Sequence, residues 1–371
     1  MFTDPRPGAK IKNHMKTPEQ LAASVERFRE GFWGRRSIGR PPIGIGADRA
    51  WQPIGYLRGP LPEGELAPSA VDNCLVRTDY EDAFATRVVT RDDWMPFSAA
   101  WRGVPWIEAM CGCAVRSSSG SLAPGHGLAS ANEWRSAMVP AKPEWRERLR
   151  FLTQELAATA QADCWVSPTI LRGVSDVLGA MRGLSDFFLD LHDDPEPLLE
   201  VGARINRLHL DLLDLHYSLV PPKLGGYGHI FGYWAPGPTA VIQEDALGMC
   251  SPAMYRGRFR EFSAEIVRHL GAYVLFHLHS TGFRHYRDVL EIPGIAGLQL
   301  TVELNGPPLI DMAPALRAIL ERSRLILLVD AWYEQLREVL PKLPREGLYL
   351  IVSDKFIGSD AEFDNLAAQF G

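Results

Sequence analysis

The sequence predicts an α/β protein, a (β/α)8 TIM-type barrel with an N-terminal helix and a loop-rich elaboration. Its C-terminal part holds four short apolar runs: YVLFHLH (273–279), GLQLTVEL (297–304), RLILLVD (324–330) and LYLIVSD (348–354), each bounded by turn residues. Amphipathic helices separate them, and strand–helix alternation means a parallel sheet. No G-x-G-x-x-G turn opens a helix after the first strand, which counts against the runner-up, an open doubly wound sheet.

The helices carry explicit start signals. Thr17-Pro18-Glu19-Gln20 is a capping box with proline at the first helical position, leading into LAASVERFREGFW. Asp194-Pro195 opens PEPLLEVGARINRLHLDLLDLHYSL, Ser251-Pro252 opens PAMYRGRFREFSAEIVRHL, and Ser359 with Glu362 makes a final capping box. Earlier strands are expected near WIEAM, CWVSPTI and GHIFGYW. From Ser37 to about Val104 the text is rich in Pro and Gly with little helical period, so short strands and long loops are read there. Residues 1–104 are therefore assigned to an N-terminal elaboration packed on the barrel, and 105–371 to the barrel itself.

The length of 371 residues allows one large barrel with additions or two domains. With 46% hydrophobic and 23% charged residues, the composition excludes disordered, collagen-like and disulfide-scaffold classes. A net charge of −6 with both signs interspersed gives no footprint for nucleic acid, so a small-molecule substrate is expected. Five cysteines, an odd count that includes Cys74, fit a reducing cytoplasm better than a disulfide framework. No apolar h-region lies near the start, and no apolar run approaches the roughly 18 residues that span a bilayer, so neither secretion nor a membrane is expected.

In a parallel barrel the chemistry gathers at the carboxyl ends of the strands. Period-2 alternation sends Leu298, Leu300, Val302 and Leu304 toward the helices and Gln299, Thr301 and Glu303 inward. The same alternation puts His277 and His279 on one face, a metal-chelating spacing, and Asp330, Asp354 or Glu303 could add a third ligand. Asp330 and Asp354 read equally well as helix caps or turn residues. Upstream, Glu108 stands beside Trp106 and ahead of Cys111-Gly112-Cys113, whose thiols read as buried rather than metal-binding. Tyr227, His229, Phe231, Tyr233 and Trp234 could wall a flat or cationic ligand, or simply form core strand. The carboxylates of Gln243-Glu244-Asp245 could bind substrate or cap a helix.

Several segments resemble the uroporphyrinogen decarboxylase superfamily: Asp190-Leu-His-Asp-Asp-Pro-Glu196, Gln243-Glu-Asp-Ala with Ser251-Pro-Ala-Met-Tyr255, and His277-Leu-His-Ser through Asp288-Val-Leu-Glu-Ile-Pro-Gly294 to Gly297-Leu-Gln-Leu300. With RPPIGI and PWIEAMCGC, the resemblance covers most of the chain and implies the (β/α)8 barrel. It also implies one of two chemistries. The first is cofactor-free decarboxylation of uroporphyrinogen, which uses an N-terminal Arg-Gln-Ala-Gly-Arg segment. The second is zinc-dependent methyl transfer between a corrinoid protein and a thiol or similar acceptor, with a His-x-Cys pair and a later Cys on the metal.

The chain departs from both patterns. Arg-Gln-Ala-Gly-Arg is absent, His279 stands where the Cys would be, and no cysteine follows Cys250. The first expectation is thus a metal-dependent methyltransferase of one-carbon metabolism. It would bind zinc or another divalent transition metal through His277, His279 and a strand-end carboxylate, Asp354 or Asp330. Such nitrogen and oxygen ligands make a harder Lewis acid than thiolates do. Glu303 and Glu108 would shape the pocket or move protons, and Gln299, Tyr227, His229, Trp234 and Arg172 would contact substrate. The corrinoid would arrive on a partner protein, and a homodimer is compatible with the resemblance. The alternatives are a cofactor-free lyase acting on a tetrapyrrole or aromatic acid, with Arg172 or Arg49 binding carboxylates, and a barrel that binds a tetrapyrrole or corrinoid without turnover.

Overall fold

The computed structural model describes residues 16–46, 62–72, 89–100, 103–118, 121–160 and 164–370. Its parallel strands are β1 (Ile43–Gly46), β2 (Phe97–Ser98), β3 (Trp165–Val166), β4 (Ala240–Gln243), β5 (Val274–His279), β6 (Gly297–Val302), β7 (Arg324–Val329) and β8 (Leu348–Ser353). Six of them form one parallel sheet in the order β1-β8-β7-β6-β5-β4, so the first strand lies beside the last. The two-residue strands β2 and β3 pair in parallel with each other. A single parallel bridge from Arg172 to Gln243 links the chain beyond β3 to the edge of β4. The fold is thus mixed α/β around a six-stranded parallel sheet, and the described ladders stop short of a continuous closed barrel. β1 comes from the segment before Val104, so the sheet draws on both halves of the division read from the sequence.

All four apolar runs of the C-terminal part are strands of this sheet. Both faces of β5 to β8 are covered, which is why their sequences are nearly unbroken apolar text. Leu298, Leu300 and Val302 are fully buried, as alternation requires, whereas Leu304 lies past the end of β6 and is exposed rather than packed on helices. The longest helix, Pro195–Leu219, buries Leu198, Val201, Ile205, Leu208, Leu212 and His216, a stripe at helical spacing. Gly202 lies in that stripe because a Cβ there would come within 2.9 Å of Val174.

The N-terminal capping box is present as read, with Thr17 accepting from Gln20 N and the Gln20 side chain accepting from Thr17 N. Helix Pro18–Glu26 continues in wider turns through Arg27–Trp33. It is pinned to β1 by buried Asp93, which accepts from Ser24 Oγ (2.9 Å), Arg27 Nε (2.7 Å), Ile43 N (3.0 Å) and Arg40.

Three local expectations are corrected. WIEAM is not a strand but a short helix, Trp106–Met110, because a fully buried five-residue run has no period that separates the two. GHIFGYW contributes nothing to the parallel sheet; Tyr227–Gly228 and Trp234–Ala235 pair antiparallel across its ends. The helix opened by Ser251 breaks at Phe259, giving Pro252–Arg258 and Arg260–Leu270. Among the described residues no helix is long and apolar enough to cross a membrane.

Candidate metal centre

The carboxyl ends of the sheet strands surround a cavity of about 300 Å³. Gly46 of β1, Gln243 of β4, His277 and His279 of β5, Thr301 of β6 and Ser353 of β8 all line it. Ile170, Phe231, Leu328 and Ile351 supply its apolar walls. Such a mouth, apolar with a few convergent polar groups, is the usual form of a small-molecule site.

One side of the cavity carries a compact donor set. Asp245, His277 and His279 each present one ligand atom, all within 4.8 Å of one another. Asp245 Oδ1 lies 3.8 Å from His277 Nε2 and 3.6 Å from His279 Nε2. An ion with metal–ligand distances near 2.1 Å in tetrahedral array spaces its ligands by roughly 3.4 Å, so small side-chain adjustments would close this set on a cation.

The tautomers are arranged for the same purpose. His277 Nδ1 faces Gln299 Oε1, directly across the β5–β6 ladder, and Gln299 Nε2 donates to Thr301 Oγ1 at 3.1 Å, which fixes the amide with its oxygen toward the ring. His279 Nδ1 donates to Glu303 Oε1 at 2.8 Å. With both Nδ1 atoms protonated and engaged, both Nε2 lone pairs face Asp245, as in ligated histidines whose second nitrogen is bound by an acceptor. Burial holds the His277 imidazole below its ordinary pKa, which favours the neutral ring a cation would need; the charge of Asp245 opposes this without reversing it.

Asp245 is itself positioned. Gln243 Nε2 donates to its Oδ2 at 2.7 Å, leaving Oδ1 toward the histidines. Its backbone N–H and that of Ala246 donate to Asp176, at 3.0 and 2.7 Å. The adjacent Glu244 turns the other way and accepts from Val174 N and Ser175 N, capping helix Val174–Arg182. Burial first, and then the neighbouring carboxylates, push the pKa of Asp176 up.

Phe231 stacks within 25° of His277 at 5.9 Å, and His229 stacks between Phe231 (5.6 Å) and Tyr233 (4.9 Å), so a column of rings stiffens the wall behind His277. His229 lines a small side pocket rather than the main cavity. Neither Tyr227 nor Trp234 lines the cavity: Tyr227 packs edge-on against Tyr217, and fully buried Trp234 accepts from Trp33 Nε1 at its carbonyl. Asp330 lines the cavity from β7 and is paired with Lys355 at 2.6 Å, apart from the histidine cluster. Asp354 is exposed past β8, its N–H donating to Gly46 O at 2.9 Å. Glu108 is buried with Arg172 Nη1 3.2 Å away, and neither lines the cavity. Cys111 and Cys113 are buried free thiols. Arg49 and Cys74 lie outside the described residues.

The structure thus brings His277, His279, Gln299 and Glu303 together and adds Asp245, which from sequence alone reads as a substrate contact or a helix cap. Its signal was weak because β4 is four residues long and follows a Pro-Gly-rich loop.

No protein-family model matches the chain, and no curated protein sequence matches it. Among solved structures it is similar to a methyltransferase from Methanosarcina mazei, with a TM-score of 0.62 at 12% identity over 94% of this chain and 98% of that one. At that identity the likeness establishes a shared fold across nearly the whole length.

Proposed function

We propose that the protein is a metal-dependent methyltransferase on a (β/α)8 barrel of the uroporphyrinogen decarboxylase type, with β2 and β3 filling the gap between β1 and β4. The observation that carries the reading is the trio of Asp245, His277 and His279 at a cavity mouth, each held by a partner that aims it. The methyltransferase likeness in fold supports the reaction class.

In this reading those three residues would hold zinc or another divalent transition metal beside the cavity. When bound, such an ion would lower the pKa of an acceptor group, so that the acceptor could take the methyl group as an anion while the donor–methyl bond breaks and its electron pair stays with the donor. A donor set of two imidazoles and one carboxylate favours an oxygen acceptor over a thiol. The residues of the chain orient and insulate. Gln299 and Glu303 hold the imidazole tautomers, and Gln243 aims Asp245. The apolar walls at Phe231, Leu328 and Ile351 exclude water from a nucleophile that water would otherwise solvate. The methyl donor is a corrinoid carried by a partner protein that docks at the mouth.

The cavity lining also argues against a polyanionic tetrapyrrole. Among the described residues that line it, the only Asp, Glu, Lys or Arg is Asp330, itself paired with Lys355, so the lining itself offers no cation for a ring of several carboxylates. The test is a methyl-transfer assay with methylcobalamin as donor and simple alcohols, phenols and thiols as acceptors, following loss of the methylcobalamin absorbance and the mass of the methylated acceptor. Transfer that needs added metal and disappears in His277→Ala supports the proposal. Metal-independent release of carbon dioxide from an aromatic acid or porphyrinogen, with no methyl transfer, would replace it by a lyase.

A further inference from the structure

The pair formed by Glu108 and Arg172 has no part in the function proposed above, and its construction points to a ligand. Glu108 sits in the first turn of helix Trp106–Met110 and is 1% exposed. Arg172 Nη1 is 3.2 Å from its Oε1, and no other described group hydrogen-bonds either carboxylate oxygen. A carboxylate that deep would be costly to keep ionised without the cation beside it. Burial pushes its pKa up, and Arg172 opposes that shift.

Arg172, by contrast, is 38% exposed along its side chain. Its guanidinium has five N–H donors, and among the described acidic side chains only Glu108 is paired with it. Its place in the fold is informative. Arg172 follows by two residues Ile170, a cavity wall, and its backbone pairs with Gln243, which lines the cavity and aims Asp245. A planar guanidinium held from behind by a buried carboxylate and open in front is a preorganised partner for an anionic oxygen pair.

We propose that Arg172, anchored by Glu108, binds the carboxylate of a small substrate at the rim of the cavity. The far end of that substrate would reach the metal centre, and this half of the inference rests on the function proposed above. The anion-binding half stands alone. A carboxylate is favoured over a phosphate because Glu108 offsets part of the arginine's field, so a dianion beside the pair would be repelled more than a monoanion. One such cation at the rim also suits a substrate with one acidic group.

The test is calorimetric titration of benzoate and of inorganic phosphate into metal-stripped protein. Arg172→Gln alone would leave Glu108 buried and unpaired, so the decisive variant is the double substitution Glu108→Gln/Arg172→Gln, with Arg172→Lys as the conservative change. Folding is checked by circular dichroism. Benzoate should bind the wild type in the millimolar range or tighter. It should weaken at least tenfold in the double variant and by less in Arg172→Lys, with phosphate weaker than benzoate throughout. Equal benzoate affinity in wild type and a folded double variant, or no benzoate binding to the wild type, would overturn the anchor. Phosphate binding tighter than benzoate would overturn the carboxylate class. Metal uptake measured on the same proteins separates the two readings: a wild type that binds benzoate but no metal keeps the anchor and removes the centre at the other end.

Discussion

Glu303 Oε1 accepts the Nδ1–H of His279 at 2.8 Å, a bond that lets the end of β6 set the tautomer of an imidazole on β5. Because His279 and Glu303 are each about one-third exposed, this support is made at the cavity mouth rather than in the core. Removing it should act on the metal before it acts on the fold. Glu303→Ala is expected to weaken metal binding about 10-fold to 100-fold with little change in thermal stability, and Glu303→Gln, which keeps an acceptor oxygen, to weaken it less. Competition with a chromophoric chelator measures both.

Asp245 lies with the histidines, whereas Asp330 and Asp354, the strand-end carboxylates expected from the sequence, do not. Asp245→Ala should abolish tight metal binding. Asp330→Asn should retain it, since Asp330 is paired with Lys355, and so should Asp354→Asn at its exposed position. Loss of metal in either asparagine variant with retention in Asp245→Ala would reassign the ligand.

Asp93 ties helix Pro18–Glu26 and its continuation to β1. Burial opposes its ionisation, but Arg40, Arg27 and Lys16 together outweigh that and hold its carboxyl below the ordinary range. Asp93→Asn should destabilise the protein by about 3 kcal/mol by leaving its cationic partners uncompensated. Since the native pKa is depressed, the stabilisation is complete above the unfolded pKa of about 4 and is lost as pH falls through the native value. Urea denaturation of wild type and variant at neutral and acid pH should show their gap closing on acidification.

Three buried histidines add a second acid sensitivity. Burial pushes His209 down to about 4, and His216 and His229 to about 3. The unfolded chain therefore takes up protons below about pH 6.5 that the native state refuses. Stability should be full above that pH and fall toward pH 4 by up to about 1.4 kcal/mol per pH unit for each histidine. Denaturation midpoints measured between about pH 7 and pH 5 check the slope, and His209→Leu should flatten it by one histidine's share.

The parts of the fold legible in the sequence were those with a strong local pattern. β5 to β8 announced themselves because strands covered on both faces must be apolar throughout, and the Thr17 and Ser359 caps because their partners sit three residues away. β1, β2 and β4 are two to four residues long, too short for a period, and β1 owes its place to a close approach that no pattern encodes. A Cβ at Gly44 would lie 2.4 Å from Tyr349 Oη. In the site, alternation alone placed Gln299 and Glu303 on the side of the histidines. It could not place Asp245, whose aim depends on Gln243 and on Asp176, a residue 69 positions earlier.

The most direct test of the metal centre is elemental analysis by plasma mass spectrometry of untagged protein purified without chelators, comparing wild type with His277→Ala and Asp245→Ala. The account predicts near-stoichiometric zinc or another divalent transition metal in the wild type, lost in both folded variants. A metal-free wild type, or variants that keep the full complement, would contradict it.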